Sequence, residues 1–471
     1  MTRDAAIAAA TSLMDDGRFR TLMERRIAFR TESQVPESMP LLHAYLTDEI
    51  IPCVAAMGFS SQILDNPVDG KGPFLIARRI EDASRPTILI YGHGDVTRGQ
   101  DAEWAPGLTP WRITERGDRW YGRGTADNKG QHSINLAALE QVLATRDGRL
   151  GFNVTLLLEM GEEVGSPGLS DICTAYKELL AADVLIASDG PRLAADRPTM
   201  FLGSRGAFNI ELKVDARERG YHSGNWGGVI LNPATLLSHA IASMVDARGQ
   251  LLVDGLRPPP IPSSVREALA GVEVGGGPSD PDIDPEWGEP GLSPAERLFA
   301  WNTLEVLACQ SGDANAPVNA VPAFAKAVIQ LRFVVGTDPT QILGHLRAHL
   351  DRCGFGQVQA SATRHEASPA TRLDPDSDWV RWATASLRRS TDQVPAILPN
   401  IGGTLPNHVF ADILGLATLW VPHSYAACAQ HAPDEHMLVP LTRQALAMMA
   451  GLFWDLGEPD LPTGSGSSPA L

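Results

Sequence analysis

The fold of this chain is decided by an apolar run and the polar loop after it, Arg85-Pro86-Thr87-Ile88-Leu89-Ile90 followed by Tyr91-Gly92-His93-Gly94-Asp95. The run is rich in β-forming residues and predicts a buried strand, and the glycine-flanked His and Asp predict a loop at its carboxyl end. A His and an Asp two residues apart at such a position suit a metal ligand and the carboxylate that orients it. Similar loops also serve turns and caps, so this motif alone does not establish a metal site.

Acidic residues recur at two further places of the same kind. Glycines surround Asp127 just before a predicted helix, where an N-cap Asp would need no metal. A predicted strand over residues 152–158 runs directly into Glu162 and Glu163. Because adjacent carboxylates repel each other, a bound cation would explain why they sit together at a strand end. One carboxylate would then bind the metal and leave the other to take a proton from water.

Two more polar positions complete the pattern. Asp189 follows the predicted strand Val184–Ala187, and a polar loop near the carboxyl end contains His431 and His436. Composition alone does not choose between these two histidines. Histidine and carboxylate ligands without a thiolate favour zinc, then manganese or cobalt. Five such ligands on neighbouring loops would hold two divalent ions.

Composition limits the class of protein. The 471 residues predict two or three domains, and the net charge of −17 argues against nucleic acid or an anionic membrane as a partner. No apolar run approaches the roughly 20 residues of a membrane helix. The amino terminus lacks the order of a signal peptide, and the five cysteines are scattered without paired spacing. These features predict a cytoplasmic protein.

The order of elements predicts two kinds of domain. Strand and helix signals alternate through about residue 200, which is typical of an α/β sheet with helical cover. Residues 208–214, 328–335 and 357–362 then read as strands beside two helices, which predicts a two-layer α+β unit. The Pro/Gly-rich residues 257–294 predict an irregular excursion outside the core. Four segments follow: a catalytic domain split between 1–203 and 366–456, an inserted domain over 204–365, and a disordered tail over 457–471.

Together these motifs resemble the dinuclear-zinc aminopeptidase-like family of carnosinase, cytosolic nonspecific dipeptidase, glutamate carboxypeptidase, aminoacylase, acetylornithine deacetylase and succinyl-diaminopimelate desuccinylase. The likeness extends from about residue 20 to 455 in order, spacing and flanking glycines. It implies an α/β fold with a three-layer catalytic domain and an inserted two-layer α+β dimerisation domain.

The resemblance also implies a role for each polar position. Asp127 would bridge two metal ions and precede a cis peptide bond, and Glu162 would be the general base. Asp95 would orient the first histidine, and His431 is preferred to His436. The implied ligands of the two ions, zinc or else manganese or cobalt, are His93, Asp127, Glu163, Asp189 and His431.

Within this family the dipeptidase branch is the most similar, through the motifs at residues 121–124, 222–228, 245–249 and 402–406. The branch implies a homodimer in which a histidine of the inserted domain reaches the metals of the partner. The implied substrate contacts are His222, Asn319, Arg332, Gly403 and Thr404. There are departures from the branch: Gly94 replaces a bulkier residue, Asn319 stands where a dipeptidase has threonine, and residues 257–294 match poorly.

The expected function is hydrolysis of the amide bond of dipeptides or related small carboxylate-bearing substrates, with metal-activated water. Arg332 at a substrate carboxylate would favour an exopeptidase or an amino-acid deacylase over an endopeptidase. An N-acyl-amino-acid deacylase, like acetylornithine deacetylase or succinyl-diaminopimelate desuccinylase, is the alternative enzyme. A catalytically silent binding paralogue is the alternative outside catalysis, but it would have no need of the general base Glu162.

Overall fold

A computed structural model describes residues 2–277, 280–363 and 368–462 of the chain. The predicted domain boundary at 365/366 and the predicted tail from residue 463 onward lie outside the described residues. The α-helices are α1 (Arg3–Asp15), α2 (Arg18–Ala28), α3 (Met39–Ala44), α4 (Ile51–Ala56), α5 (Lys129–Thr145), α6 (Leu169–Ala175), α7 (Ser223–Trp226), α8 (Pro233–Met244), α9 (Ser263–Leu269), α10 (Pro294–Phe299), α11 (Ile342–Arg352), α12 (Asp378–Thr391) and α13 (Val439–Leu456).

The strands, in chain order, are β1 (Ser60–Leu64), β2 (Phe74–Arg79), β3 (Thr87–His93), β4 (Thr114–Arg116), β5 (Arg119–Tyr121), β6 (Asn153–Glu159), β7 (Val184–Ala187), β8 (Pro191–Arg192), β9 (Thr199–Phe201), β10 (Gly203–Ser204), β11 (Gly206–Asp215), β12 (Tyr221–His222), β13 (Thr303–Gln310), β14 (Ala320–Val321), β15 (Phe324–Phe333), β16 (Gln359–Ala362), β17 (Thr371–Arg372), β18 (Ala396–Leu398), β19 (Ala417–Trp420), β20 (Ser424–Tyr425) and β21 (His436–Leu438).

The largest sheet of the described residues has eight strands in the order β1-β2-β6-β3-β7-β19-β9-β18. Its centre is parallel: β3 pairs with β6 and with β7, and β7 pairs with β19. These include the three strands that the sequence predicts most clearly. Because parallel strands end at the same edge of a sheet, the loops after β3, β6, β7 and β19 meet there.

Helices cover both faces of this sheet. Ile88 and Ile90 of β3 face one core, while Leu89 and Tyr91 face the other. Side chains of α1, α2, α5, α12 and α13 fill the first core, and those of α6, α9 and α10 fill the second. The period-two alternation of the strands thus produces the predicted three layers.

A second sheet has four antiparallel strands in the order β13-β15-β11-β16. Burial alternates residue by residue along β11 and β15, as in a sheet with one covered face. Leu237 and Met244 of α8 and Leu346 and Leu350 of α11 lie in the core under that face. This is the predicted two-layer unit. Within the described ranges, no helix is long and apolar enough to cross a bilayer.

The prediction that residues 257–294 lie outside the core is wrong for part of this segment. Helix α9 packs against β18 of the large sheet, and Ile261, Val265 and Leu269 are buried in the second core. Residues 265 and 269 are one helical turn apart, so both face the sheet. The prolines and glycines around them obscured a short amphipathic helix. The bounds of the domains themselves stay a prediction.

Candidate metal centre

Three predicted ligands meet at the carboxyl edge of the parallel strands. His93 ends β3, Asp189 follows β7, and Asp127 precedes α5. Nε2 of His93 lies 2.9 Å from Oδ1 of Asp127 and 3.5 Å from Oδ2 of Asp189. One potential ligand atom from each residue lies within 4.8 Å of the others, and all three side chains are buried. This first cluster has the size of a metal coordination sphere.

A second cluster shares Asp127 with the first. Nε2 of His431 lies 2.9 Å from Oδ2 of Asp127 and 3.1 Å from Oε2 of Glu163. The potential ligand atoms again lie within 4.8 Å of one another. Since the two clusters use different oxygens of Asp127, its carboxylate lies between them as a bridging ligand would.

Asp95 connects His93 with the backbone of Glu162 and Glu163. Its Oδ1 and Oδ2 accept the backbone N–H groups of Glu162 and Glu163, each at 3.1 Å. Nδ1 of His93 lies 3.1 Å from the carbonyl oxygen of Asp95 and 3.4 Å from its Oδ1. A proton on Nδ1 would leave Nε2 free to bind a metal. The buried Asp95 is therefore placed as an orienting carboxylate.

The loop that presents Asp127 is fixed by a residue to which the sequence analysis gave no role. Glu435 is fully buried and accepts the backbone N–H groups of Gly124, Ala126 and Asp127, at 3.0, 2.8 and 3.0 Å. Nη1 of Arg123 donates to it at 2.9 Å and balances its charge. The peptide bond from Asp127 to Asn128 is cis, as the resemblance implies.

The electrostatics of the site fit a pair of cations. Burial raises the pKa of Glu162 well above its usual value, and the charges of Asp189, Asp127 and Glu163 raise it further. Burial and Asp127 likewise raise the pKa of Glu163 to about 7. Hydrogen bonds to Asp127 and Glu163 raise the pKa of His431 to about 11, because a positive charge there relieves the crowded carboxylates. Divalent ions would relieve them in the same way, and the donors are of the types that zinc accepts.

Two further residues near the site, His436 and Gly94, are explained by their contacts with other side chains. Nε2 of His436 lies 2.6 Å from the hydroxyl of Tyr425, and His436 is in neither cluster. A side chain on Gly94 would collide with Tyr45 and Met160, whose atoms lie 2.6 to 2.7 Å from the position of a Cβ. Those two side chains occupy the space that a bulkier residue would need, which accounts for the glycine.

A cavity of about 690 Å³ opens beside the metal centre. Glu162, Gly403 and Thr404 line it together with ligands from both clusters. Nη1 of Arg332 donates to Oγ1 of Thr404 at 2.7 Å, so the guanidinium lies at the Thr404 side of the cavity. Its volume is in the range of small-molecule sites.

His222 and Asn319 lie elsewhere. They adjoin each other across the short pair β12–β14, where the backbone N–H of Ser223 donates to the carbonyl oxygen of Asn319 at 2.8 Å. Both residues are exposed, and neither is among the residues described as lining the cavity. The structure therefore does not bring them to the metal centre of their own subunit.

The sequence is similar to those of known dipeptidases. The chain is 35% identical to the Cysteinylglycine-S-conjugate dipeptidase of Corynebacterium striatum over 225 residues, 47% of this chain and 48% of that protein. It therefore spans about half the length of that relative. It is 30% identical to the Beta-Ala-His dipeptidase of Rattus norvegicus over 424 residues, 85% of this chain and 83% of that protein.

A solved structure extends the likeness to the fold. The M20 family metallo-carboxypeptidase Sso-CP2 from Sulfolobus solfataricus superimposes with a TM-score of 0.75 and 25% identity, over 93% of this chain and 98% of that one. The predicted α/β fold class is confirmed. Residues 89–455 match the sequence profile of peptidase family M20/M25/M40. The chain belongs to the M20/M25/M40 family of peptidases.

Proposed function

We propose that this protein is a metallodipeptidase that hydrolyses the amide bond of dipeptides or closely related small substrates with a free carboxylate. One observation carries the proposal: two clusters of ligand-type side chains share the carboxylate of Asp127 and open into a cavity lined by Glu162. The names of the two dipeptidase relatives support the same reaction. We propose zinc as the metal, with manganese or cobalt as substitutes.

His93, Asp127 and Asp189 would hold one ion, and Asp127, Glu163 and His431 the other. When bound, the ions supply activation of water and polarisation of the scissile carbonyl.

Each step of the proposed reaction can be assigned to a residue of this chain. Glu162, whose carboxylate lines the cavity and is not a member of either cluster, would accept a proton from the attacking water and return it to the leaving amine. Arg332 and Thr404 would bind the free carboxylate, since a guanidinium suits two carboxylate oxygens at once. Gly403 leaves room for the substrate, because no atom of the described residues lies within 4 Å of where its Cβ would be.

We further propose a homodimer in which His222 acts at the metal centre of its partner, with Asn319 beside it. The exposure of both residues supports this arrangement. The same part of the molecule exposes large apolar side chains, among them Val229 (74% exposed), Val318 (78%) and, on the edge strand β13, Leu307 (54%). Burial of such a patch favours association. In the partner site, His222 would stabilise the oxyanion of the tetrahedral intermediate. A cytoplasmic location is proposed with it.

The test of the function is metal-dependent turnover on a substrate panel. Chelation should abolish hydrolysis, and zinc, manganese or cobalt should restore it. Dipeptides should be cleaved faster than N-acetyl and N-succinyl amino acids, the substrates of the alternative deacylase. Undiminished hydrolysis by protein shown to be metal-free would refute the metal mechanism, and no turnover of any substrate by metal-loaded protein would favour a silent paralogue.

A further inference from the structure

The cavity beside the metal centre has a large apolar surface in addition to the candidate ligands. Its lining includes a set of aliphatic and aromatic side chains that we name the apolar wall: Leu193, Phe201, Val274, Ile283, Leu298, Phe299, Leu398, Ile401 and Leu405. Several of them are rooted in the second core of the large sheet, which holds their positions. Val274, Ile283, Leu298 and Phe299 come from the stretch around α10 that precedes β13.

The apolar wall begins next to the metal ligands. Gly190 directly follows Asp189, and a Cβ on Gly190 would collide with Cδ1 of Ile401 and lie 3.9 Å from Phe201. A substrate atom beside the ligand Asp189 therefore lies within one side-chain length of Ile401 and Phe201.

The wall continues to the proposed carboxylate site. Leu298 Cδ1 lies 3.7 Å, and Phe299 Cε1 3.9 Å, from where a Cβ of Gly402 would be. Gly402 is two residues from Thr404, whose hydroxyl accepts from Arg332. The wall thus spans the interval between the metal centre, where the scissile carbonyl would bind, and Arg332, where the carboxylate would bind. In a dipeptide, the residue that bridges this interval is the carboxyl-terminal one.

Two charged residues of the described lining lie outside the candidate metal ligands and Glu162, namely Arg192 and Asp280, and neither offers a free cation. Arg192 turns its guanidinium away: Nε donates to the carbonyl oxygen of Pro422 at 3.2 Å, and Nη1 donates to Gln444. Burial lowers the pKa of Arg192 to about 9. Asp280 is exposed and accepts the backbone N–H of Gly277 at 2.9 Å. Among the lining residues that the structure describes, an acidic substrate side chain would therefore find no free cation, and a glycine would leave the wall uncovered.

We propose that the apolar wall is the specificity site for the leaving amino acid, and that it selects substrates whose carboxyl-terminal residue is a large aliphatic or aromatic one. This inference rests on the proposed amide hydrolysis. It sets the chain apart from enzymes for dipeptides that end in glycine, because hydrophobic contact with the wall contributes binding only when a side chain covers it.

The first test uses wild-type, metal-loaded protein and dipeptides with alanine at the amino end. The carboxyl-terminal residue is leucine, phenylalanine, glycine or aspartate. We expect kcat/KM for the leucine and phenylalanine substrates to exceed that for glycine by about 10-fold or more, the range for added methylenes in an apolar pocket. Aspartate should be the slowest. Equal rates, or a preference for glycine or aspartate, would overturn the inference while leaving the hydrolase intact; no hydrolysis at all would instead overturn the proposed function.

The second test changes the wall. Leu298 is half-buried at the cavity surface, so Leu298→Ala and Leu298→Asp are designed to keep the core intact. We expect each to lower kcat/KM for the leucine substrate, Leu298→Asp by about 10-fold, and to lower it more for this substrate than for the glycine substrate, whose loss measures any repulsion of the substrate carboxylate. Val394→Asp is the matched control, because Val394 is 61% exposed and is not among the described lining residues. Equal losses on both substrates would assign Leu298 a purely structural role.

Discussion

The metal centre and the region around His222 place their candidate residues in opposite ways. The candidate ligands of the metal centre come from separate segments of one chain, and the fold brings their side chains within 2.9 to 3.5 Å of a neighbouring candidate ligand. His222 ends the short strand β12, Asn319 directly precedes its partner β14, and both side chains are exposed. The first region is assembled by the fold of one chain. The second gains a function at the metal centre only if another chain brings it there.

The largest effect is expected inside the metal centre, at Glu162. Glu162→Gln keeps the size of the side chain but removes its ability to accept a proton. We expect turnover to fall by about 100-fold or more, the usual contribution of a general base. Metal content, measured by elemental analysis, should remain that of the wild type.

Glu163→Gln is the matched control for this experiment, because Glu163 adjoins Glu162 but lies 3.1 Å from His431 in the second cluster. This variant should lose metal as well as activity. If Glu162→Gln loses metal and Glu163→Gln keeps it, the two roles are exchanged.

The next prediction tests whether His222 of one chain acts at the metal centre of the other chain. His222→Ala and Glu163→Ala are each expected to abolish most activity, the former by about 100-fold as for loss of an oxyanion donor. Co-expression allows mixed dimers in which one site combines intact ligands with the intact His222 of the other chain. Random pairing makes about half of the dimers mixed, so roughly a quarter of wild-type sites should be restored.

The measurement is specific activity of a preparation shown by two different tags to contain mixed dimers. Recovery no greater than the sum of the separate variants would mean that His222 serves its own subunit or none. Mixing the purified homodimers without exchange of subunits is the control.

Arg332 lies between the two regions, since it belongs to β15 of the four-stranded sheet yet donates to Thr404 at the cavity. Arg332→Ala should lower kcat/KM by about 10- to 100-fold, as expected for a hydrogen bond to a charged group. Amidating the substrate carboxylate should cost about as much, and the two changes together little more. Fully additive losses would show that Arg332 and the carboxylate do not interact. Gln330→Ala, which removes the other acceptor of Arg332, is the control for packing.

The two regions also differ in how far the sequence predicts them. His93 and Asp189 were predictable because strand periodicity and a polar strand end are local signals. The role of Glu435 was not, since its partner Gly124 is 311 residues away and the residues around Glu435 do not reveal that contact. The burial of Val265 and Leu269 was missed because prolines dominated the composition around them. A candidate ligand at a strand end can be predicted from the residues next to it in the sequence. The distant residues that hold it in position are known only from the folded structure.

The smallest effect concerns the charge crowded beneath the metal centre. Glu159 ends β6, and its Oε1 accepts the hydroxyls of Tyr91 at 2.6 Å and Ser166 at 2.9 Å. Burial, with a further contribution from the charge of Asp95, raises its pKa from 4.5 to about 7. Between pH 4.5 and about pH 7, Glu159 therefore keeps its proton in the folded, metal-free protein but has released it in the unfolded chain. Treatment with a chelator gives the metal-free protein.

The stability contributed by this proton is therefore full below about pH 4.5 and is lost as the pH rises through about 7. Glu159→Gln cannot ionise and lacks this loss. We expect the melting temperature of the variant, relative to chelated wild type, to rise between pH 5 and 8, by an amount on the order of 1 kcal/mol in unfolding free energy. Thermal melts of both proteins across that range measure it. A difference that stays constant, or that falls as the pH rises, would show that Glu159 is ionised in the folded protein throughout, and that the carboxylates beneath the metal centre are less crowded than their burial implies.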